Sequence, residues 1–134
     1  MDDLRELWRR IVFNVLISNT DDHLRNHGFL YNGGAGWRLA PAYDLNPVPM
    51  EIKPRVLSTA ITFDSPAASL ELAWEVAEEF GLNLKTARSI AREVHAATAN
   101  WRRLAKQHGI SEMYSARMAS AFEHEDFDRA TQLE

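Results

Sequence analysis

The sequence predicts a mainly α-helical domain interrupted by one small β-hairpin. Apolar residues recur at spacings of three and four in several separate stretches, the signature of helices with one buried face. Between the first two of them, the glycine-rich turn N-G-G-A-G joins two short apolar runs, which reads as a hairpin. With 134 residues, 46% of them hydrophobic, the chain can bury one sizeable core without disulfides or metal staples.

The elements follow in order. Residues 4–16 form a buried helix on Leu4, Leu7, Trp8, Ile11, Val12 and Val15. A polar stretch, I-S-N-T-D-D-H-L-R-N, leaves its end at residues 17–26. Residues 28–31 and 37–39 make the two strands, and P-A-Y-D-L follows. From 45 to 64 the chain is spaced by Pro47, Pro49 and Pro54 and lacks helical period, so it should be extended, with at most a short strand at 55–57. There Val48, Met50, Ile52, Val56 and Leu57 either pack the loop onto the core or line a groove.

A second helix is expected over 65–80 on Leu70, Ala73, Trp74, Ala77 and Phe80, capped by Ser65 or Ser69 and stopped by Gly81. Asn83 should cap the longest helix, reaching about residue 107 on Leu84, Ala87, Ala91, Val94, Ala97, Trp101 and Leu104, with Gly109 closing it. Ser111 and Glu112 open a last helix carrying Tyr114, Met118, Ala121 and Phe122. The acidic stretch 124–134 is expected to be a frayed tail. No repeat or linker divides the chain, so one domain is expected over 1–134.

The formal net charge of −4 and the isoelectric point near 5.7 argue against a free-standing nucleic-acid binder, which would carry a basic stripe. The absence of cysteine excludes disulfides and thiolate metal sites. Asp2, Asp3 and Arg5 interrupt any signal-peptide start, and the apolar runs fall short of a membrane span, so a cytoplasmic location is the expectation. His95, His108 and His124 have no partner at ligand spacing.

Asp21 and Asn26 stand at the D-x-x-x-x-N spacing of a protein-kinase catalytic loop, in which the Asp takes the proton of the substrate hydroxyl and the Asn holds a metal. The competing reading is a turn whose polar side chains bond their own backbone. Asp44 after the hairpin strengthens the first, because kinases place a second metal ligand after a similar hairpin. Like charges about 4 Å apart repel by roughly 4 kcal/mol at an effective dielectric near 20, so Asp21 and Asp44 should converge only around a cation or a basic side chain. Magnesium is a hard ion that favours oxygen ligands.

Together N-T-D-D-H-L-R-N, the hairpin and A-Y-D-L resemble the HipA family of toxin kinases, whose catalytic loop reads roughly N-x-D-x-H-x-K-N with a metal-binding Asp in a downstream Y-D-L phrase. The resemblance implies a fold like the helical C-terminal lobe of a HipA-like kinase. It makes Asp21 the catalytic base and Asn26 and Asp44 ligands of Mg2+, with Arg25, Asn26 and Asp44 on the ATP side; His23 would be structural. Arg25 stands where the family usually has Lys, and an Arg fork meets a phosphate with different geometry. Asp22, four residues from Asn26, is left out of the set.

The resemblance also implies a protein substrate phosphorylated on serine, of the glutamyl-tRNA synthetase type, and a HipB-like DNA-binding antitoxin as partner. A complete kinase needs a phosphate-covering loop and a lysine upstream of the catalytic loop. Only 18 residues precede Asn19 and none is lysine, so the chain is expected to be weak or inactive alone. Two other readings stand beside this one. The chain is a non-catalytic interaction module of a toxin–antitoxin system, or Asp21, Asp22, His23 and His27 form a metal-dependent hydrolase site.

Overall fold

A computed structural model describes residues 2–132. The first helix, α1 (Asp2–Ile17), opens with Asp2 and Asp3 at the positive end of its dipole. Trp8, Val12, Val15 and Leu16 recur at helical spacing and are completely buried. Around α1 pack α2 (Leu70–Glu75), α3 (Leu84–Thr98), α5 (Glu112–Phe122) and α6 (Glu125–Arg129). The core unites the α1 residues with Leu70, Ala73, Ala87, Ile90, Ala91, Val94 and Ala130. Where Trp8 meets α2, its indole N–H donates to the Ala73 carbonyl at 2.9 Å, so the ring is buried without an orphaned donor.

The hairpin forms as the sequence predicts. Strands β1 (Phe29–Tyr31) and β2 (Trp37–Leu39) are antiparallel, with Phe29 opposite Leu39 and Tyr31 opposite Trp37. Positive φ at Gly33 and Gly36 explains the glycines of the turn. Two arginine contacts fasten the hairpin to α1. Arg38 grips Asp3 through two bonds of 2.8 and 2.9 Å, which hold that carboxyl down at about 2, and Arg10, buried, donates to the Ala40 carbonyl at 2.6 Å.

The segment after the hairpin is extended, and its short strand reduces to one antiparallel bridge, Val56 with Ala67. Leu57 N donates to Pro66 O and Ala68 N to Arg55 O, so residues 66–68 are held in this pairing rather than in a helix. The helix expected over 65–80 is accordingly shorter. It starts at Leu70, capped by Ser69 rather than Ser65, and gives way to a 3-10 turn, Ala77–Phe80, closed by left-handed Gly81. Of the apolar residues in the extended segment, Leu57 is buried, while Met50, Ile52 and Val56 are exposed.

Asn83 caps as expected, donor Thr86 N at 2.9 Å, but the helix expected to reach residue 107 is two. Helix α3 ends at Thr98, whose hydroxyl donates back to the Val94 and His95 carbonyls, and α4 (Trp101–Gln107) restarts after Asn100 leaves helical geometry. That leaves α1 the longest helix. The last expected helix is α5, with Ser111 as its cap.

Part of the stretch expected to fray is ordered. Helix α6 spans Glu125–Arg129, Asp126 and Ala130 are buried, and Phe127 packs against the core. The sequence hides this because the stabilising partners lie far away in the chain. Leu133 and Glu134 fall outside the described residues. Among the described residues no helix is long and apolar enough to cross a membrane.

Two stability predictions follow from this packing. Trp8→Ala should cost about 3–5 kcal/mol, whereas Trp8→Phe should lose about 1–3 kcal/mol by stranding the Ala73 carbonyl, both read from urea denaturation midpoints. The second concerns His124. Its Nε2 faces the carbonyls of Leu16 and Ala121, and its Nδ1 accepts from Phe127 N, an arrangement only the neutral ring satisfies. Burial, with Arg55 adding repulsion, lowers its pKa below the ordinary 6.5. Protons therefore bind the unfolded chain better. This contribution to stability is complete above pH 6.5 and should be lost as pH falls from there toward the folded value, a decline smaller in His124→Asn.

Candidate active site

Helix α1 delivers the polar loop. At its end Ser18 adopts a left-handed conformation, φ 55°, and the chain turns out of the helix. Asn19, almost fully buried, is pinned back: its backbone N–H donates to Asn14 O and its side-chain amide to Asn14 Oδ1, both at 2.9 Å. The Thr20 carbonyl accepts from Ser58 N, Ser58 Oγ and Lys53 Nζ, fixing the residue before Asp21 against the extended segment.

A 3-10 turn, Leu24–Asn26, closes the loop, and Asn26 Oδ1 accepts from His23 N at 3.1 Å. Buried Asn26 then reaches across to the Y-D-L phrase, donating from Nδ2 to Asp44 Oδ2 at 2.9 Å. One residue back on each side, the Tyr43 hydroxyl donates to the Arg25 carbonyl at 2.8 Å. Two rungs thus join the loop to the segment after the hairpin.

Asp44 is itself left-handed, φ 56°, a conformation that costs a non-glycine residue roughly 1–2 kcal/mol. The carboxylate is exposed, and its second oxygen accepts from Asn46 Nδ2 at 2.9 Å. Two neutral amides therefore orient it, and no cationic side chain pairs with it among the described residues.

The sequence-predicted residues divide into two groups. Asn26 and Asp44 are in direct contact, and the Arg25 backbone belongs to the same pair of rungs. Asp21 and the Arg25 side chain are exposed, and Asp21 makes no side-chain hydrogen bond among the described residues. Asp22 is held elsewhere. It pairs with His27 at 2.9 Å, and both line an apolar cavity of about 400 Å³ walled by Leu7, Ile11, Leu24 and Phe29, which Asp21, Asn26 and Asp44 do not line.

Among the described residues no three His, Asp or Glu side chains gather where they could hold a metal. The set Asp21, Asp22, His23 and His27 therefore does not form a metal cluster. The pair Asn26–Asp44 does suit magnesium in another way. That ion commonly takes one or two carboxylates and completes its octahedron with water and substrate phosphates. Asp44 offers oriented oxygens, and Asn26 Oδ1 keeps a second lone pair beyond the one used by His23.

A family model described as HipA-like C-terminal domain matches residues 1–101, three quarters of the sequence and all of the loop, hairpin and Y-D-L phrase. This chain belongs to that HipA-like family. A Haemophilus influenzae protein named "Putative kinase" is 48% identical over 40 residues, a stretch that makes up 30% of this chain and 12% of that relative. No solved structure matches.

Within this HipA-like domain, sequence reasoning missed Lys53, Arg55 and Tyr43 as neighbours of the loop. Tyr43 had a visible signal in its place beside Asp44. Lys53 and Arg55 had none, since their contacts lie 33 to 40 residues away in the chain.

The Asn26–Asp44 contact makes a charge prediction. Asn26→Asp would keep the acceptor for His23 N and set a second carboxylate against Asp44. With position 26 buried and Asp44 exposed, the repulsion should cost about 1–4 kcal/mol. Magnesium should restore the loss, seen as a rise in melting temperature on adding Mg2+ that the unsubstituted chain shows more weakly.

Proposed function

We propose that this domain supplies the catalytic half of a HipA-like kinase, transferring the γ-phosphate of ATP to a serine or threonine hydroxyl of a protein. The observation that carries the reading is the bond from Asn26 to Asp44, which joins the two halves of the motif across 18 residues of chain. An isolated turn would have no reason to select that partner, whereas a phosphotransfer loop needs both oxygens on one side of the nucleotide phosphates.

The residues take separate tasks. Asp21, exposed and uncommitted, accepts the proton of the incoming hydroxyl. Asn26 and Asp44 hold magnesium, whose charge neutralises the phosphates when it is bound. The Arg25 guanidinium, on the exposed side of the 3-10 turn, meets a phosphate oxygen. On this reading the architecture corresponds to a kinase C-terminal lobe, which supplies the lower half of a nucleotide site.

Family membership and the relative's name support the kinase theme and a toxin–antitoxin setting. A substrate of the glutamyl-tRNA synthetase type and a HipB-like antitoxin rest on the family resemblance alone. On this reading the described domain by itself binds nucleotide weakly and transfers phosphate slowly.

Calorimetric titration of ATP with magnesium into this chain and into Asp44→Ala tests the proposal. Weak, magnesium-dependent heat that disappears in the variant is the expected outcome. Binding that ignores both magnesium and Asp44 would refute the assignment of the site. A folded chain that binds no nucleotide would instead favour the interaction-module reading for this domain.

A further inference from the structure

We infer that the ion pair between Arg55 and Asp126 is a positioning device for the loop of residues 18–26, tying the C-terminal helix α6 and the segment after Asp44 to the point where that loop leaves α1. The geometry stands by itself; only the purpose of the loop rests on the phosphotransfer reading.

Arg55 and Asp126 are the two ends of a nearly enclosed pair, with side chains only 14% and 12% exposed. The guanidinium divides its donors among three acceptors. Nη1 meets Asp126 Oδ2 at 2.7 Å, Nη2 meets the Val15 carbonyl at 2.8 Å, and Nε meets Ser18 Oγ at 3.1 Å. Each partner passes the constraint on. The Ser18 hydroxyl donates to Ala121 O on α5 at 2.8 Å, and the other oxygen of Asp126 accepts the first amide of α2, Leu70 N, at 2.8 Å.

Ser18 is where this matters. A left-handed serine persists only where the surroundings hold it there, and the neighbours of Ser18 do so from three sides. Arg55 and Ala121 fix its side chain, while its carbonyl accepts from Val48 N at 3.0 Å. The direction the chain takes at Ser18 sets where Asn19, Thr20 and Asp21 fall. A lysine at position 55 carries the charge but lacks the planar fork that reaches three acceptors at once. Arg55 and Asp126 are thus positioning residues, acting through Ser18 on groups they do not touch.

Amide hydrogen exchange on the whole chain, read residue by residue by NMR, tests this with Arg55→Lys and Asp126→Asn. Ile90→Val serves as a control that loosens the core away from the clamp. The amides of Asn19, Thr20 and Asn26 should exchange roughly tenfold faster or more in both clamp variants, with Ala87 and Ala91 in α3 changing far less. In the control, loop and core should change together. Loop exchange that rises only in step with α3 would overturn the proposal by reducing the pair to general stability. If both charge variants fail to fold, Ser18→Ala decides, since it removes one acceptor without stranding a charge; unchanged loop exchange there would overturn the proposal as well. Titration of magnesium and ATP run in parallel separates the two ideas. Faster loop exchange with no nucleotide binding in any form supports the clamp and removes the phosphotransfer reading.

Discussion

Helix α1 ends inside the protein, and the last carbonyls of a helix have no partners within it. Solvent cannot satisfy them here, because residues 14–20 are all buried. The last turn carries no basic residue of its own. Distant groups fill the need: Arg55 takes the Val15 carbonyl, His124 the Leu16 carbonyl, and Asn19 N–H the Asn14 carbonyl. Arg55 also brings positive charge to the negative end of the helix dipole. Satisfying one buried helix end therefore drags the extended segment and the C-terminal helix onto the root of the polar loop.

From that root the geometry of the site is largely determined. Asn14 and Asn19 form a short brace, the Thr20 carbonyl is held by three donors, and the 3-10 turn places Asn26 where it meets Asp44. Left-handed Ser18 and Asp44 bracket this region. Strained backbone at two non-glycine residues flanking one polar cluster points toward function, since a loop serving only as a connection would relax to glycine or to ordinary geometry.

The sequence made local periodicity and turn chemistry legible. It marked α1, the hairpin with its glycines, the Asn83 and Ser111 caps and the Gly81 stop. It misjudged elements whose ends depend on distant contacts. Residues 66–68 lie in a helical pattern yet pair with 55–57, because a bridge and its flanking backbone bonds outweigh weak local propensity. Thr98 and Asn100 split a continuous apolar stripe, which periodicity cannot register because the stripe itself resumes at Trp101. The acidic end reads as solvated until Asp126 is seen to meet Arg55 and Leu70 N. In the site, motif spacing singled out Asp21 and Asn26, and the phrase after the hairpin pointed to Asp44, while the supports at Lys53 and Arg55 left no trace at all.

The adjacent acids Asp21 and Asp22 show what structure adds to a motif. Sequence spacing favours Asp21, but only by one position. In the fold Asp22 is already engaged: it faces His27 beside an apolar cavity, partly buried, and a carboxylate committed to an imidazole is poorly placed to greet an incoming hydroxyl. Asp21 points into solvent with its oxygens unoccupied by described residues. Of the two acids, Asp21 is the one left open to a ligand, and that accessibility is what favours it over Asp22 on the phosphotransfer reading.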